Sequence, residues 1–346
     1  MQRIIVTGGA GFIGSAVVRQ LIESSDVHVL TVDKLTYAGH LENLGTIVDH
    51  PLHQFSQTDI TDISSIESVF ETFQPTGILH LAAESHVDRS ISGPSDFIST
   101  NIYGTYVLLQ TAYTYWSKLS TADQAGFRFI HVSTDEVYGS LEATDDPFNE
   151  ASPYKPNSPY SASKASADHL ARAWWKTYGF PVITTNCSNN YGPYQFPEKL
   201  IPLVSLNALN GQPLPIYGAG DQVRDWLYVD DHAHALIQIL MNGKLGEVYC
   251  ISGNSERINL DIVHEICDML DKIIPQSKYV PHRELIQHVK DRPGHDKRYA
   301  LDASKLIQDV GWKPQETFSS GLRKTVELYI NNNEWCKTVM RNSLSH

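Results

Sequence analysis

Five short apolar runs alternate with helical patterns through about the first 190 residues, and this alternation narrows the possible folds more than any other feature. Ile4 to Val6 is β-branched and apolar, a glycine-rich turn follows, and Phe12 to Ile22 carries apolar residues at helical spacing. The runs "VHVLTVD", "GILHLAA", "FRFIHVSTD" and "PVITTNCSNN" end at Asp33, Ala83, Asp135 and Asn190. Continuous apolar strands between helices predict a parallel sheet covered on both faces, a Rossmann-like doubly wound α/β fold. In such sheets ligands collect at the carboxyl ends of the strands, where the polar clusters of this chain lie. From about Gly192 the texture changes to proline, glycine and tyrosine in short elements, as in "YGPYQFPEKLIP" and "GQPLPIYGAG". The expected division is a dinucleotide-binding domain over 1–190, with return segments near 225–245. A smaller mixed lobe for substrate, mainly 191–335 and discontinuous, completes it.

Net charge excludes some partners. Lys and Arg number 27 against 39 Asp and Glu, a net charge of -12, which disfavours nonspecific binding to nucleic acid or anionic membrane. Phosphates must therefore be held by local groups. The cysteines at 187, 250, 267 and 336 form no CxxC pair, which argues against a metal site or a disulfide framework and suits a reducing cytoplasm. No stretch reads as a signal peptide or a spanning helix.

In "VTGGAGFIG", Gly8, Gly9, Gly11 and Gly14 satisfy GxGxxG between a predicted strand and a helix. Glycine there lets the backbone approach a pyrophosphate, which the free N–H groups of the helix start stabilise. Asp33, at the end of the next strand, is placed to accept from ribose hydroxyls and to repel a 2′-phosphate, favouring NAD over NADP, although adjacent Lys34 blurs the distinction. "YSASK" sets Tyr160 and Lys164 one helical turn apart. A free tyrosine loses its proton only near pH ~10, so service as a base at neutral pH needs about 4 kcal/mol of differential stabilisation. A neighbouring ammonium and a cationic nicotinamide supply it. Alone, the pair also reads as a core tyrosine with a solvated lysine. "VSTDEVYG" places Asp135 and Glu136 directly after a buried strand, where the plain alternative is a solvated strand end.

Together "TGGAGFIG", "LAAESHVDRS", "STDEVYG", "YSASK" and "CSNNYGPYQFPEKLIP" resemble the extended short-chain dehydrogenase/reductases that act on nucleotide sugars, and within them the dehydratases, from Met1 to about Tyr329. The resemblance implies conversion of a nucleotide hexose to its 4-keto-6-deoxy derivative with loss of water, by oxidation at C4, elimination across C5–C6 and reduction at C6. It assigns Tyr160 to the C4 hydroxyl proton, Lys164 to support of the tyrosinate and Thr134 to the C4 oxygen. Glu136 becomes the C5 base and Asp135 the acid at the C6 hydroxyl. Adjacent acids can divide these roles because ionising one raises the pKa of the other. Neighbouring strand residues face opposite ways, so the backbone must leave β geometry at Asp135 for both to reach one sugar.

Around NAD the resemblance places Gly8, Gly11, Phe12, Ile13 and Gly14, then Asp33, Lys34, Thr36, Asp59 and Ile60, with Asp59 as an acceptor for the adenine amine. Ala82, Ala83, Ser85, Thr100, Tyr160, Lys164 and Asn190 complete that set. Around the nucleotide sugar it places Thr134, His86, Asn189, Glu198, Lys199 and Leu200, then Pro215, Ile216, Tyr217, Arg224, Asn259, Arg292 and His295. Arg224 and Arg292 have the paired donors a diphosphate needs, and "DRPGHD" is expected to close over the nucleotide. The aromatic-rich helices around "TNIYGTYVLLQTAYTYW" and "SASKASADHLARAWWKTYG" are expected to pair as a four-helix homodimer interface. Other nucleotide-sugar enzymes of this fold, whether epimerases, decarboxylases or dehydratases of another nucleotide such as UDP-glucose, stay open, as does a non-catalytic dinucleotide sensor. The acidic pair argues for dehydration.

Overall fold

The computed structural model describes residues 2–24, 26–292 and 294–343; Pro293, one of the turn residues of "DRPGHD", lies outside the described residues. Strand and helix alternate from the N-terminus: β1 (Arg3–Thr7), α1 (Phe12–Ser24), β2 (His28–Asp33), β3 (His53–Gln57), α2 (Ile63–Phe73) and β4 (Gly77–His80). Then come α3 (Val87–Ser92), α4 (Pro94–Phe97), a π-helical stretch over Ile98–Gly104, α5 (Thr105–Trp116), α6 (Thr121–Gly126), β5 (Arg128–Thr134), α7 (Pro159–Tyr178) and β6 (Val182–Cys187). The later elements are β7 (Asn189–Tyr191), α8 (Leu200–Leu209), β8 (Leu214–Tyr217), β9 (Val223–Tyr228), α9 (Val229–Asn242) and β10 (Val248–Ile251). β11 (Glu256–Ile258), α10 (Asn259–Ile273), β12 (Ile286–Val289), α11 (Ser304–Val310) and α12 (Phe318–Asn331) follow.

The main sheet runs β10-β6-β5-β4-β1-β2-β3, and every pairing in it is parallel. Strand order reverses between β1 and β4, where Thr7 lies opposite His80, so a crevice opens at their carboxyl ends. The period of two along β1 sends Ile4 and Val6 to a core shared with α1 and α9, and Ile5 to a core shared with α2, α5 and α7. Both faces are thereby covered, as the apolar runs predict. A third core of Tyr191, Ile201, Val204, Ile216, Trp226 and Ile266 holds the smaller lobe, with sheets β11-β9-β7 and β12-β8.

Strand ends differ from the expectation in a regular way. β4 stops at His80 rather than Ala83, because its neighbour β1 ends at the paired Thr7. "PVITTNCSNN" is two strands: β6 ends at Cys187, opposite Thr134, and β7 pairs with β9 in the small sheet. "WLYVDDHAHALIQIL" likewise divides, its strand going to the small sheet and its helix, α9, packing on the main core. β3, a half-exposed polar edge, and β10 carry no alternation strong enough to be read from sequence.

Candidate active site

The crevice at the β1–β4 reversal is a groove floored by the first turn. Gly8 has φ +69°, and a Cβ there would sit 2.7 Å from the Ala82 backbone nitrogen; one on Gly14 would sit 2.1 Å from the Gly8 carbonyl oxygen. Only glycine permits this packing of loop against helix start. Gly8, Gly11, Phe12, Ile13 and Gly14 line the groove, with Asp33, Lys34, Thr36, Asp59 and Ile60 from the ends of β2 and β3. Ala82, Ala83 and Ser85 after β4, Thr100 on the π-helical stretch, and Tyr160, Lys164 and Asn190 line the rest. All seventeen positions assigned to NAD by resemblance therefore share one cavity.

At the β2 end, Asp33 accepts from the backbone amides of Ala10 at 3.0 Å and Leu35 at 2.8 Å. Burial raises its pKa while these amides, which favour the anion, pull it back. Lys34 pairs with Asp59 at 2.7 Å, so its charge is already matched and is not offered to a 2′-phosphate. The other oxygen of Asp59 accepts from the backbone and hydroxyl of Thr61, a local use the adenine role does not foresee. The groove has the shape, the acid and the amide-bearing turn that NAD requires.

β5 ends at Thr134, and Asp135–Tyr138 turns at once into a 3₁₀ helix. Thr134 makes the turn: its hydroxyl accepts from the Glu136 amide at 3.3 Å and donates to Asp135 at 3.2 Å. The backbone leaves β geometry where the two acids need it to, and both line the groove. Their surroundings are unequal. Asp135 is 1% exposed, one of its oxygens has no partner, and burial, then Glu136 and Asp225, push its pKa well up. Burial also raises Glu136, but Arg224, Lys199 and Arg292 hold it down. Asp135 therefore holds a proton more tightly than Glu136 does.

Tyr160 lies in the first turn of α7, whose start is set by Ser158 and a reciprocal capping box with Ser161. Burial, then Glu136, raise its pKa far above the ordinary tyrosine value, and its hydrogen bond with Thr134 works the other way. Lys164 donates to the Val132 carbonyl at 2.8 Å and is lowered by burial. Without a cationic ligand, then, the tyrosine holds its proton.

A second cavity adjoins the first, sharing Ser85, Glu136, Asn189, Asn190, Gln195, Glu198 and Lys199 with it. His86, Leu200, Pro215, Ile216, Tyr217 and Arg224 line it, as do Asn259, Arg292 and His295. Of the residues assigned to the sugar nucleotide, Thr134 alone lies only on the groove side. Arg224 donates to the carbonyls of Val223 at 2.8 Å and Asp296 at 2.9 Å and lies over Tyr299, its guanidinium 4.3 Å from the ring centre. Arg292 reaches across the cavity to Asp88, with contacts of 2.8 and 2.9 Å, and covers Tyr217. Lys199 donates to the Ser85 carbonyl, and His86 faces Glu198 at 3.4 Å, with burial and then Lys199 pulling the imidazole down to about 4.

Several wall residues were not singled out from sequence: Asp88, Asn157, Gln195, Gln222, Trp226 and Tyr299. Asp88 and Gln195 fall inside "LAAESHVDRS" and "CSNNYGPYQFPEKLIP", the available signals; Asn157, Gln222, Trp226 and Tyr299 fall in none of the motifs that carry the resemblance. His232 is a further case, completely buried behind Asn190 and bonded to its side-chain oxygen at 2.9 Å.

Residues 5–325 match the family described as GDP-mannose 4,6 dehydratase. The dTDP-glucose 4,6-dehydratase of Shigella flexneri is 58% identical over 346 residues, 98% of this chain and 95% of that protein. The enzyme of the same description from Neisseria meningitidis serogroup B is 55% identical over 345 residues, 99% of this chain and 97% of that protein. Among solved structures, a dTDP-glucose 4,6-dehydratase from Streptomyces venezuelae with NAD and TYD bound superposes with a TM-score of 0.88 at 43% identity, covering 98% of this chain and 100% of that one.

Proposed function

The chain belongs to the GDP-mannose 4,6 dehydratase family, and on that premise we propose that it is an NAD-dependent carbon–oxygen lyase converting dTDP-glucose to dTDP-4-keto-6-deoxyglucose and water. The observation that carries this reading is the turn Thr134–Glu136, which sets two acids of unequal proton affinity on the groove, Glu136 also lining the second cavity. An epimerase has no use for the pair, whereas elimination needs both an acid and a base.

NAD, held by the groove residues, would supply the oxidant for C4 and the reductant for C6. Tyr160 takes the C4 hydroxyl proton, steered by the Thr134 hydroxyl, and Lys164 and the positive end of the α7 dipole favour the tyrosinate that does so. The ketone makes the C5 hydrogen acidic, and Glu136 removes it. Asp135 protonates the C6 hydroxyl, which leaves as water, and Glu136 then returns its proton to C5. The proton kept by Tyr160 matches the one Asp135 donated, so one water is the net loss. Arg224 and Arg292 receive the diphosphate, and the rest of the second cavity receives sugar and base. In this reading 1–190 is mainly the cofactor module, joined by α9 from the return segment near 225–245, while β9 goes with the nucleotide-sugar lobe that takes up most of 191–335.

Two further parts of the proposal concern the whole molecule. Ile98, Tyr103, Tyr106 and Tyr178 are 56, 44, 39 and 45% exposed on the Ile98–Trp116 and α7 helices, which supports a homodimer through four helices. Sedimentation as a monomer at micromolar concentration would remove it. The buried free cysteines support a cytoplasmic location, and no helix among the described residues is long and apolar enough to cross a membrane. The chemistry is tested with dTDP-glucose deuterated at C4. Deuterium should appear at C6 of the product; wash-out to solvent would sink the reading. UDP-glucose, assayed alongside, should turn over more slowly.

A further inference from the structure

α7 continues past the Tyr160–Lys164 pair to Asp168, one turn further along the same face. Asp168 lines neither cavity, and its side chain is 3% exposed. Four donors converge on it: His131 Nε2 at 2.9 Å, the Ser133 hydroxyl at 3.0 Å, the Tyr154 hydroxyl at 2.9 Å and the Asn186 amide at 3.2 Å. The Ser133 and Tyr154 hydroxyls and the Asn186 amide can all donate to it, and His131 does so in the tautomer protonated at Nε2. Its partners come from β5, β6 and the segment before α7. Asn186 goes on to donate to the Thr134 carbonyl at 3.2 Å and accepts from Tyr138, on either side of the acidic pair.

Lys164, buried above it, has a mismatched setting. Among the described residues its ammonium donates one hydrogen bond, to the Val132 carbonyl, and burial favours the neutral form of the histidines, the thiol and the tyrosine near it. Burial lowers His80 and His131 and lifts the Cys187 thiol to about 12. Tyr160 is held protonated in the same way. Asp168 is the anion that opposes the burial of Lys164.

We propose that Asp168 is the positioning residue of the proton-transfer pair: its carboxylate, fixed by four donors, keeps Lys164 an ammonium and clamps α7 onto the ends of β5 and β6. The catalytic importance of this rests on the dehydratase reading; the charge relation does not.

The test uses the full chain without sugar. Acetylation of Lys164 by acetic anhydride is followed against pH by peptide mass spectrometry, with and without NAD, in the natural chain and in Asp168→Asn. The variant's midpoint should fall by about one pH unit or more, the size expected of a charge one helical turn away in a partly buried site. In a separate assay with dTDP-glucose added, the alkaline limb of C4 oxidation should move down by the same amount, whereas a merely structural defect would lower the rate equally at every pH. An unmoved midpoint in the folded variant overturns the proposal. Where Asp168→Asn fails to fold, the double variant Asp168→Asn/Lys164→Met removes both charges. Recovery of a cooperative melt supports the charge relation, and continued failure to fold refutes it. Absence of turnover with dTDP-glucose in the natural chain would count against the dehydratase reading and leave the Lys164 titration to decide on Asp168.

Discussion

The two cavities of the site are built by opposite means. In the groove, the polar groups are tied to near neighbours in the chain: Asp33 to Leu35, Lys34 to Asp59, and the glycine turn to the start of α1. In the second cavity the ties are long: Arg292 to Asp88, 204 residues away, Lys199 to Ser85, 114 away, and Asn157 to Asp296, 139 away. The part of the groove from the glycine turn to Asp33 is organised within one βαβ unit, whereas Thr100, Tyr160, Lys164 and Asn190 reach it from later elements. A cavity assembled from distant loops exists only after the whole chain has folded, and its shape can change by altering loops without disturbing the sheet. The difference assigns the common chemistry to the first and substrate identity to the second.

The hardest blow to that division falls at the seam, where Glu136 lines both cavities. Glu136→Gln should cut turnover by about 10²–10⁴ while C4 oxidation survives, seen as bound NADH fluorescence on adding dTDP-glucose. Loss of that fluorescence would show that the acid serves the oxidation as well. Gly14→Ala is aimed at the groove alone. Its methyl would meet the Gly8 carbonyl at 2.1 Å, so NAD affinity by calorimetry should fall about 100-fold while dTDP affinity moves by less than about threefold. Equal losses would mean the two regions are one. Asp88→Asn addresses the far side: with Arg292 released, dTDP should bind about threefold tighter and NAD unchanged. The small size follows from a pair that is about a third exposed. Weaker dTDP binding would make Asp88 a ligand instead of a competitor.

The smallest effect concerns stability. The folded-state pKa of Asp135 is raised by burial, then Glu136, so its contribution is present below the unfolded value and is lost as pH rises through the folded one. Asp135→Asn should therefore melt about 2 °C higher than the natural chain at pH 8, with the difference closing toward pH 4. A lower melting temperature at both pH values would show that Asp135 supports the turn more than it strains it.

The same contrast decides what could be read from sequence. Local chemistry was legible: glycine at a forced turn, Asp33 at a strand end, lysine one turn after tyrosine, and a necessary backbone departure at Asp135, which the Thr134 hydroxyl brings about. Strand ends were not, since β4 and β6 stop where Thr7 and Thr134 on their neighbours stop, a fact of pairing. Part of the wall of the second cavity was not legible either: Asn157, Trp226 and Tyr299 look ordinary until folding brings them into one cavity with Glu136 and Arg224. Asp168 escaped for another reason. An acid in a helix reads as solvated unless its four donors, spread over 131–186, are known to converge.

The break at Ser188 has a consequence for how such a protein can diversify. The chain passes there from the large sheet to the small one, and the next two residues, Asn189 and Asn190, face both cavities. His232 and the Ser188 carbonyl fix the Asn190 side chain from behind. A substitution at Asn189 or Asn190 should act on dinucleotide and sugar at once, so selection cannot readily tune one affinity there while sparing the other. New substrates should arise by changes around Arg292 and Tyr217, with 188–190 inherited as a common wall.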